Sequence, residues 1–136
     1  MKPKLLMLED DAERMVRFRA VLAKRDAELV VWRDAHRMIA EVASYLPGAG
    51  LISLDHDLEP ESDTDPGDGL DVAKYLANLS PVCPVIVHTS NGVRGDSMVG
   101  ELELAKWKHH RVMPLGDDWI EIDWYLIARR VLRNKR

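Results

Sequence analysis

Five short apolar runs punctuate the chain, and each stops abruptly at polar residues or proline. Leu5-Leu6-Met7-Leu8 ends in Glu9-Asp10-Asp11. Leu29-Val30-Val31-Trp32 is followed by Arg33-Asp34. Leu51-Ile52-Ser53-Leu54 stops at Asp55. Pro84-Val85-Ile86-Val87 gives way to His88-Thr89-Ser90-Asn91-Gly92, and the weaker Arg111-Val112-Met113 is ended by Pro114. Continuous runs of this length are what strands buried on both faces require. Between them, apolar positions recur at helical spacing. They are Met15, Phe18 and Leu22, then Ala35, Met38, Ile39, Val42 and Leu46 behind a capping Asp34 and before Pro47-Gly48. A third helix opens at Gly69 with Leu70, Ala73, Leu76 and Ala77, and a fourth runs from about Asp96 with Met98, Leu102 and Ala105. A last helix carries Ile120, Trp124, Ile127 and Val131, with Asp117 or Asp118 as its cap. Arg129, Arg130, Arg133, Lys135 and Arg136 crowd its C-terminus, where the helix dipole favours cations.

Strand and helix alternate with short connections, which predicts an α/β fold: one doubly wound, five-stranded parallel sheet in the order 2-1-3-4-5, flanked by five helices. Residues 1–136 read as one domain, long enough to bury roughly 68–70% of the extended surface. The polar loop at 59–68 is the segment expected to be mobile. Composition is ordinary globular, which excludes collagen-like, coiled-coil and wholly disordered chains. The net charge of −4 gives no basic excess to hold nucleic acid by charge alone. Cys83 is the only cysteine, so no internal disulfide forms. No apolar run approaches the ~20 residues of a membrane span. Only four apolar residues separate Lys4 from Glu9, too few for a signal peptide. The expected location is the cytoplasm, with no membrane partner.

In a parallel sheet the ligand site lies at the carboxyl ends of the strands. There the order above brings together Glu9-Asp10-Asp11, Asp55-His56-Asp57 and His88-Thr89-Ser90-Asn91. Crowded carboxylates need a cation or a shared proton. Hard oxygen ligands favour Mg²⁺ or Mn²⁺, and such ions recruit phosphate oxygens. The residues therefore point to an acidic, divalent-metal pocket for a phosphorylated ligand or a phosphorylatable carboxylate. Plainer roles stand beside this one: Asp10 or Asp11 as a helix cap, His88 as a core residue, Thr89 and Ser90 as turn residues. His36, His109 and His110 read as surface or packing residues, and the four tryptophans as core. Cys83 has no neighbouring base to make it a nucleophile.

The same segments resemble the receiver domain of two-component response regulators over nearly the whole chain. The first strand with its acidic pair makes Glu9 and Asp10 metal-binding acids, and Leu51-Ile52-Ser53-Leu54-Asp55 resembles the strand that ends in the phosphoacceptor aspartate. Asp57 falls where a receiver gives a backbone carbonyl to the metal. Asp68-Gly69-Leu70-Asp71 resembles the start of the receiver's third helix, and Thr89 takes the switch hydroxyl position. Receivers keep a lysine before the proline that ends strand five, whereas here Met113 precedes Pro114 and Lys106 and Lys108 lie elsewhere. His56 and His88 also replace residues that receivers usually keep apolar. A more specific resemblance covers these departures. Leu54-Asp55-His56-Asp57-Leu58, Asp68 to Leu76, His88-Thr89-Ser90-Asn91 and Gly92 to Met98 are similar, in order and spacing, to the receiver-like family proposed to process cyclic phosphates.

Three functions follow as expectations. In the first, an enzyme hydrolyses a cyclic phosphate on a nucleotide or an RNA end. Glu9, Asp10, Asp55 and Asp57 hold Mg²⁺ or Mn²⁺, His56 and His88 serve as acid and base, and Thr89 and Asn91 position phosphate oxygens. Arg94 could add a positive charge, and Asp55 could instead act as a nucleophile. In the second, a receiver takes a phosphoryl group on Asp55 from a histidine kinase. Met113 argues for poor phosphorelay, because it leaves the phosphoryl oxygens without a cation on that side unless His88 supplies one. In the third, a degenerate receiver binds a protein partner. No DNA-binding domain is evident in the sequence.

Overall fold

The computed structural model describes residues 2–133. Strand β1 (Lys4–Leu8) lies at the centre of one half of a sheet, paired in parallel with β2 (Glu28–Trp32) and with β3 (Ala49–Leu54). Beyond β3 come β4 (Val85–Val87) and β5 (His109–Arg111), also parallel, so the order is 2-1-3-4-5 as expected. Helices α1 (Ala12–Leu22), α2 (Ala35–Tyr45), α3 (Gly69–Leu76), α4 (Gly92–Leu104) and α5 (Tyr125–Arg133) connect and flank the strands. Lys135 and Arg136, expected at the end of the last helix, lie outside the described residues. Arg130 and Arg133 do stand in its last turn.

The two-residue strand repeat sorts the core into two layers. Leu6, Leu8, Ile52, Leu54, Val85 and Val87 pack with α2, α3 and α4. Leu5, Met7, Leu51 and Ile86 pack on the other face with Phe18, Trp119, Trp124 and Ala128. The same repeat carries Glu9, Ser53 and His88 onto this second face, under α1 and α5.

Three elements depart from the sequence expectation. Helix α4 begins at Gly92 rather than near Asp96, because Asn91 caps it: its Oδ1 accepts from the Arg94 N–H at 3.0 Å. Strand β5 is His109–Arg111 rather than 111–113, since the short β4 pairs Val85 with His109 and Val87 with Arg111. The last helix has no side-chain cap from Asp117 or Asp118. It opens as a π-turn over Ile120–Trp124, in which the Trp124 N–H donates to the Trp119 carbonyl at 2.8 Å. Residues five apart stand roughly 140° apart on an α-helix. The wider turn turns both Trp119 and Trp124 toward the sheet, and both are buried.

Candidate functional site

The parallel ladder runs one residue past each central strand. The Glu9 N–H donates to Trp32 O (3.0 Å), the Asp55 N–H to Leu8 O (3.1 Å) and the His88 N–H to Leu54 O (2.9 Å). Three functional side chains are thus fixed by sheet backbone rather than by loops. At Asp55 a second constraint holds the turn: the Gly69 N–H donates to His56 O at 3.0 Å, and a Cβ on Gly69 would lie 1.9 Å from the Asp55 carbonyl oxygen. A capping box between Asp68 and Asp71 starts α3 at that point.

Beneath the rim runs a buried hydrogen-bond chain. Trp124 Nε1–H donates to Ser53 Oγ at 2.9 Å, Ser53 Oγ and His88 Nδ1 are 2.7 Å apart, and His88 Nε2 lies 2.9 Å from Glu9 Oε1. Glu9 can only accept, so His88 Nε2 carries a hydrogen, while Ser53 Oγ, which accepts from Trp124, pairs with Nδ1. Phe18 and Trp119 close over the imidazole, with ring centroids at 5.4 and 6.0 Å. The other Glu9 oxygen, Oε2, accepts from the Asp10 and Asp11 N–H groups at 3.1 and 3.0 Å. Burial pushes Glu9 up, but the His88 hydrogen bond, the Asp11 N–H and Arg14 outweigh it and hold its carboxyl below the usual range.

Above this chain opens a cleft of about 220 Å³. It is lined by the acids Glu9, Asp10, Asp11, Asp55, Asp57 and Glu59, by Thr89 and Ser90, and by the cation Arg14. Burial, reinforced by the Glu9 charge, raises the Asp55 carboxyl to about 6, against the opposing His88, the His56 N–H and Arg14. Asp10 is raised as well, first by burial, and its Oδ2 accepts from the Glu59 N–H.

Among the sequence-predicted residues, Glu9, Asp55 and His88 come together, with ligand atoms all within 4.8 Å of one another. Asp10 and Asp57 line the same cleft outside that cluster, and Thr89 lines it too. The Thr89 hydroxyl accepts from the Asn91 N–H at 3.1 Å, which leaves its own hydrogen free to donate. Asn91 caps α4, and its Nδ2 is 3.4 Å from Asp57 Oδ2. Neither imidazole lines the cleft. His88 reaches it only through Glu9. His56 Nδ1 accepts from the Leu70 N–H at 3.3 Å, and Nε2 faces Asp57 and Asp68 at 3.7 and 3.8 Å. Arg94 is exposed and away from the lining, as is Met113. Lys106 and Lys108 border a different hollow, with Pro81 to Pro84.

The donor set fits a hard divalent ion. Its atoms on the cleft are mainly carboxylate oxygens, in excess of positive charge. Sequence reasoning missed Arg14, Ser53, Trp119 and Trp124. Arg14 sits one turn before the buried Phe18, a spacing that puts it on the sheet-facing side of α1. Arg14 Nη1 is 3.5 Å from Asp55 Oδ2, a cation that the sequence reading, which looked to Met113 and His88, did not name.

A family model described as cyclic-phosphate processing receiver domain matches residues 4–104. Among solved structures, the phosphorylated cyanobacterial phytochrome response regulator RcpA is similar with a TM-score of 0.74 and 17% identity, over 100% of this chain and 97% of that one. A two-component response regulator from Clostridium difficile gives 0.68 and 21%, over 98% of each chain. The Mn²⁺-bound response regulator Rcp1 gives 0.66 and 20%, over 95% of this chain and 91% of that one. No curated protein matches the sequence. Among the described residues, no helix is long and apolar enough to cross a membrane.

Proposed function

The chain belongs to the family of cyclic-phosphate processing receiver domains, and from that premise we propose that it hydrolyses a cyclic phosphate on a nucleotide or RNA end at the Glu9–Asp55 cleft. Residues 1–136 act in this reading as one receiver-like unit in the cytoplasm, where the lone, buried Cys83 stays reduced. Glu9, Asp10 and Asp55 would hold Mg²⁺ or Mn²⁺, with Asp57 on the adjoining loop. Such an ion, when bound, polarises phosphoryl oxygens and lowers the pKa of a bound water.

The chain's own groups do the rest. Asp55 Oδ1 is tied to the His56 N–H at 2.7 Å, which leaves Oδ2 facing the cleft chemistry. The attacking water gives up a proton. The water oxygen bonds to phosphorus, the bond from phosphorus to one ring oxygen breaks, and that oxygen receives the proton, leaving a monoester. Thr89 Oγ1–H donates to a phosphate oxygen, with Asn91 fixing its orientation. His88 holds Glu9 in place, and His56 sets the turn that carries Asp57. The single observation behind this reading is the acidic cleft at the strand ends, where Glu9 and Asp55 bring ligand oxygens within 4.8 Å of one another beside the Thr89 hydroxyl.

A second reading is a phosphorelay receiver that accepts a phosphoryl group on Asp55 from a histidine kinase. It is favoured by the exposure of Asp55 Oδ2 to Arg14. Incubation with Mn²⁺ or Mg²⁺ and a 2′,3′-cyclic nucleotide separates the two. Monoester formation that Asp55→Asn abolishes supports hydrolysis. Labelling of Asp55 by acetyl phosphate with no turnover of the cyclic nucleotide supports the receiver.

A further inference from the structure

We propose that Arg14 binds the phosphate itself, pairing two non-bridging oxygens of a phosphate anion and serving where the resemblance to receivers calls for a lysine at Met113. The assignment rests on the proposed reading that this cleft takes a phosphate.

Position is the first argument. The Arg14 N–H donates to Asp11 Oδ1 at 2.9 Å, so the residue belongs to the first turn of α1, directly after the acidic strand end. Its guanidinium lies over the Trp119 ring, with Cζ 5.1 Å from the centroid, and this stacking aims it into the cleft. Nη1 stands 3.5 Å from Asp55 Oδ2 and 3.7 Å from Glu9 Oε1. The side chain is 26% exposed, so it is reachable from solvent.

Vacancy of its donors is the second. A guanidinium carries five N–H donors in a planar fork. Among the described residues, only Nη1 makes a side-chain hydrogen bond, and that one is long at 3.5 Å. An arginine whose role was to neutralise Glu9 and Asp55 would pair with a carboxylate in the fork geometry near 2.8 Å, as Arg17 does with Glu121 at 3.0 and 2.8 Å. Arg14 stops short of both carboxylates with most of its donors unspent. The fork suits two non-bridging phosphate oxygens, which the phosphodiester of a cyclic phosphate and inorganic phosphate both present.

Elimination is the third. Arg94, Lys106, Lys108 and Met113 all lie off the cleft lining, so Arg14 is the cation there among the described residues. Lysine in its place would keep the charge but lose the fork and the stacking on Trp119.

The test is calorimetry on the full chain, first with Mn²⁺ alone and then with inorganic phosphate added to Mn²⁺-saturated protein. Wild type, Arg14→Ala and Arg14→Lys are compared, with thermal melts to confirm folding. We expect Arg14→Ala to weaken phosphate at least tenfold while Mn²⁺ affinity stays equal or tightens, with Arg14→Lys intermediate. Arg14→Ala or Arg14→Lys that folds and binds phosphate within twofold of wild type overturns the assignment. A wild type that binds Mn²⁺ but no phosphate overturns the phosphate reading of the cleft, and Arg14 with it. If Arg14→Ala fails to fold, the folded Arg14→Lys decides the matter.

Discussion

His88 donates from Nε2 to Glu9 Oε1 at 2.9 Å, and neither side chain has any exposed surface. A buried carboxylate that loses its hydrogen-bonded partner is left uncompensated, at a cost of about 3–5 kcal/mol. His88→Ala is therefore expected to destabilise the protein by that order, measured by urea denaturation. Glu9→Gln together with His88→Ala should cost less than the sum of the two single changes, because the charge and its partner leave together. Additive single and double changes would show that the two residues are not coupled.

The raised Asp55 carboxyl has a sign that can be checked. The unfolded chain ionises this group near 3.8 and the folded one near 6. Between those values the folded state binds the extra proton, so stability falls as pH rises through the window. Asp55→Asn removes that penalty. In metal-free buffer at pH 7 the variant is expected to be more stable by on the order of 2–3 kcal/mol, with the gain vanishing by about pH 4. A variant less stable than wild type at pH 7 would show that Asp55 is stabilised by its neighbours rather than strained by burial.

Mn²⁺ should reverse the same penalty. Ionised Asp55 is a ligand and protonated Asp55 is not, so the rise in Tm on adding Mn²⁺ should be larger at pH 7.5 than at pH 5. Calorimetric affinity for Mn²⁺ should fall at least tenfold, about 1.4 kcal/mol, in Asp55→Asn. An equal thermal shift at both pH values would remove Asp55 from the ligand set.

Gly69 sets the turn beneath Asp55. In Gly69→Ala the new methyl meets the Asp55 carbonyl oxygen and His56 Cα, both backbone atoms. Overpacking of this kind costs about 1–3 kcal/mol, and here the displaced segment carries the site. Gly69→Ala is expected to lose both thermal stability and Mn²⁺ affinity. Gly92→Ala, where a Cβ meets nothing within 4 Å, serves as the comparison.

Much of this architecture was legible from strand ends alone. Runs such as Leu5 to Leu8 and Leu51 to Leu54 give way to Glu9 and Asp55 at the rim of the sheet, where both acids are still buried, and parallel order then forces those acids together. The two-residue repeat also carries information that the sequence reading did not use: it puts Ser53 and His88 on one face. Arg14 was hidden because an arginine in a first helical turn looks like any solvated charge. Its role depends on Trp119, which arrives from the far end of the chain. The π-turn that delivers Trp119 and Trp124 leaves no mark in an apolar spacing that an ordinary helix would also satisfy. Asn91 also caps α4, a role its place in the polar strand-end motif hides, so the helix starts earlier than the apolar spacing predicts.

The most direct test of the central claim follows the ³¹P NMR spectrum of a 2′,3′-cyclic nucleotide incubated with the protein and Mn²⁺. The cyclic phosphate resonance is predicted to give way to a phosphomonoester resonance, catalytically and over many turnovers, with no conversion by Asp55→Asn. A cyclic resonance that persists unchanged with either Mn²⁺ or Mg²⁺, while acetyl phosphate labels Asp55 of the same preparation, would contradict hydrolysis and make the chain a phosphorelay receiver.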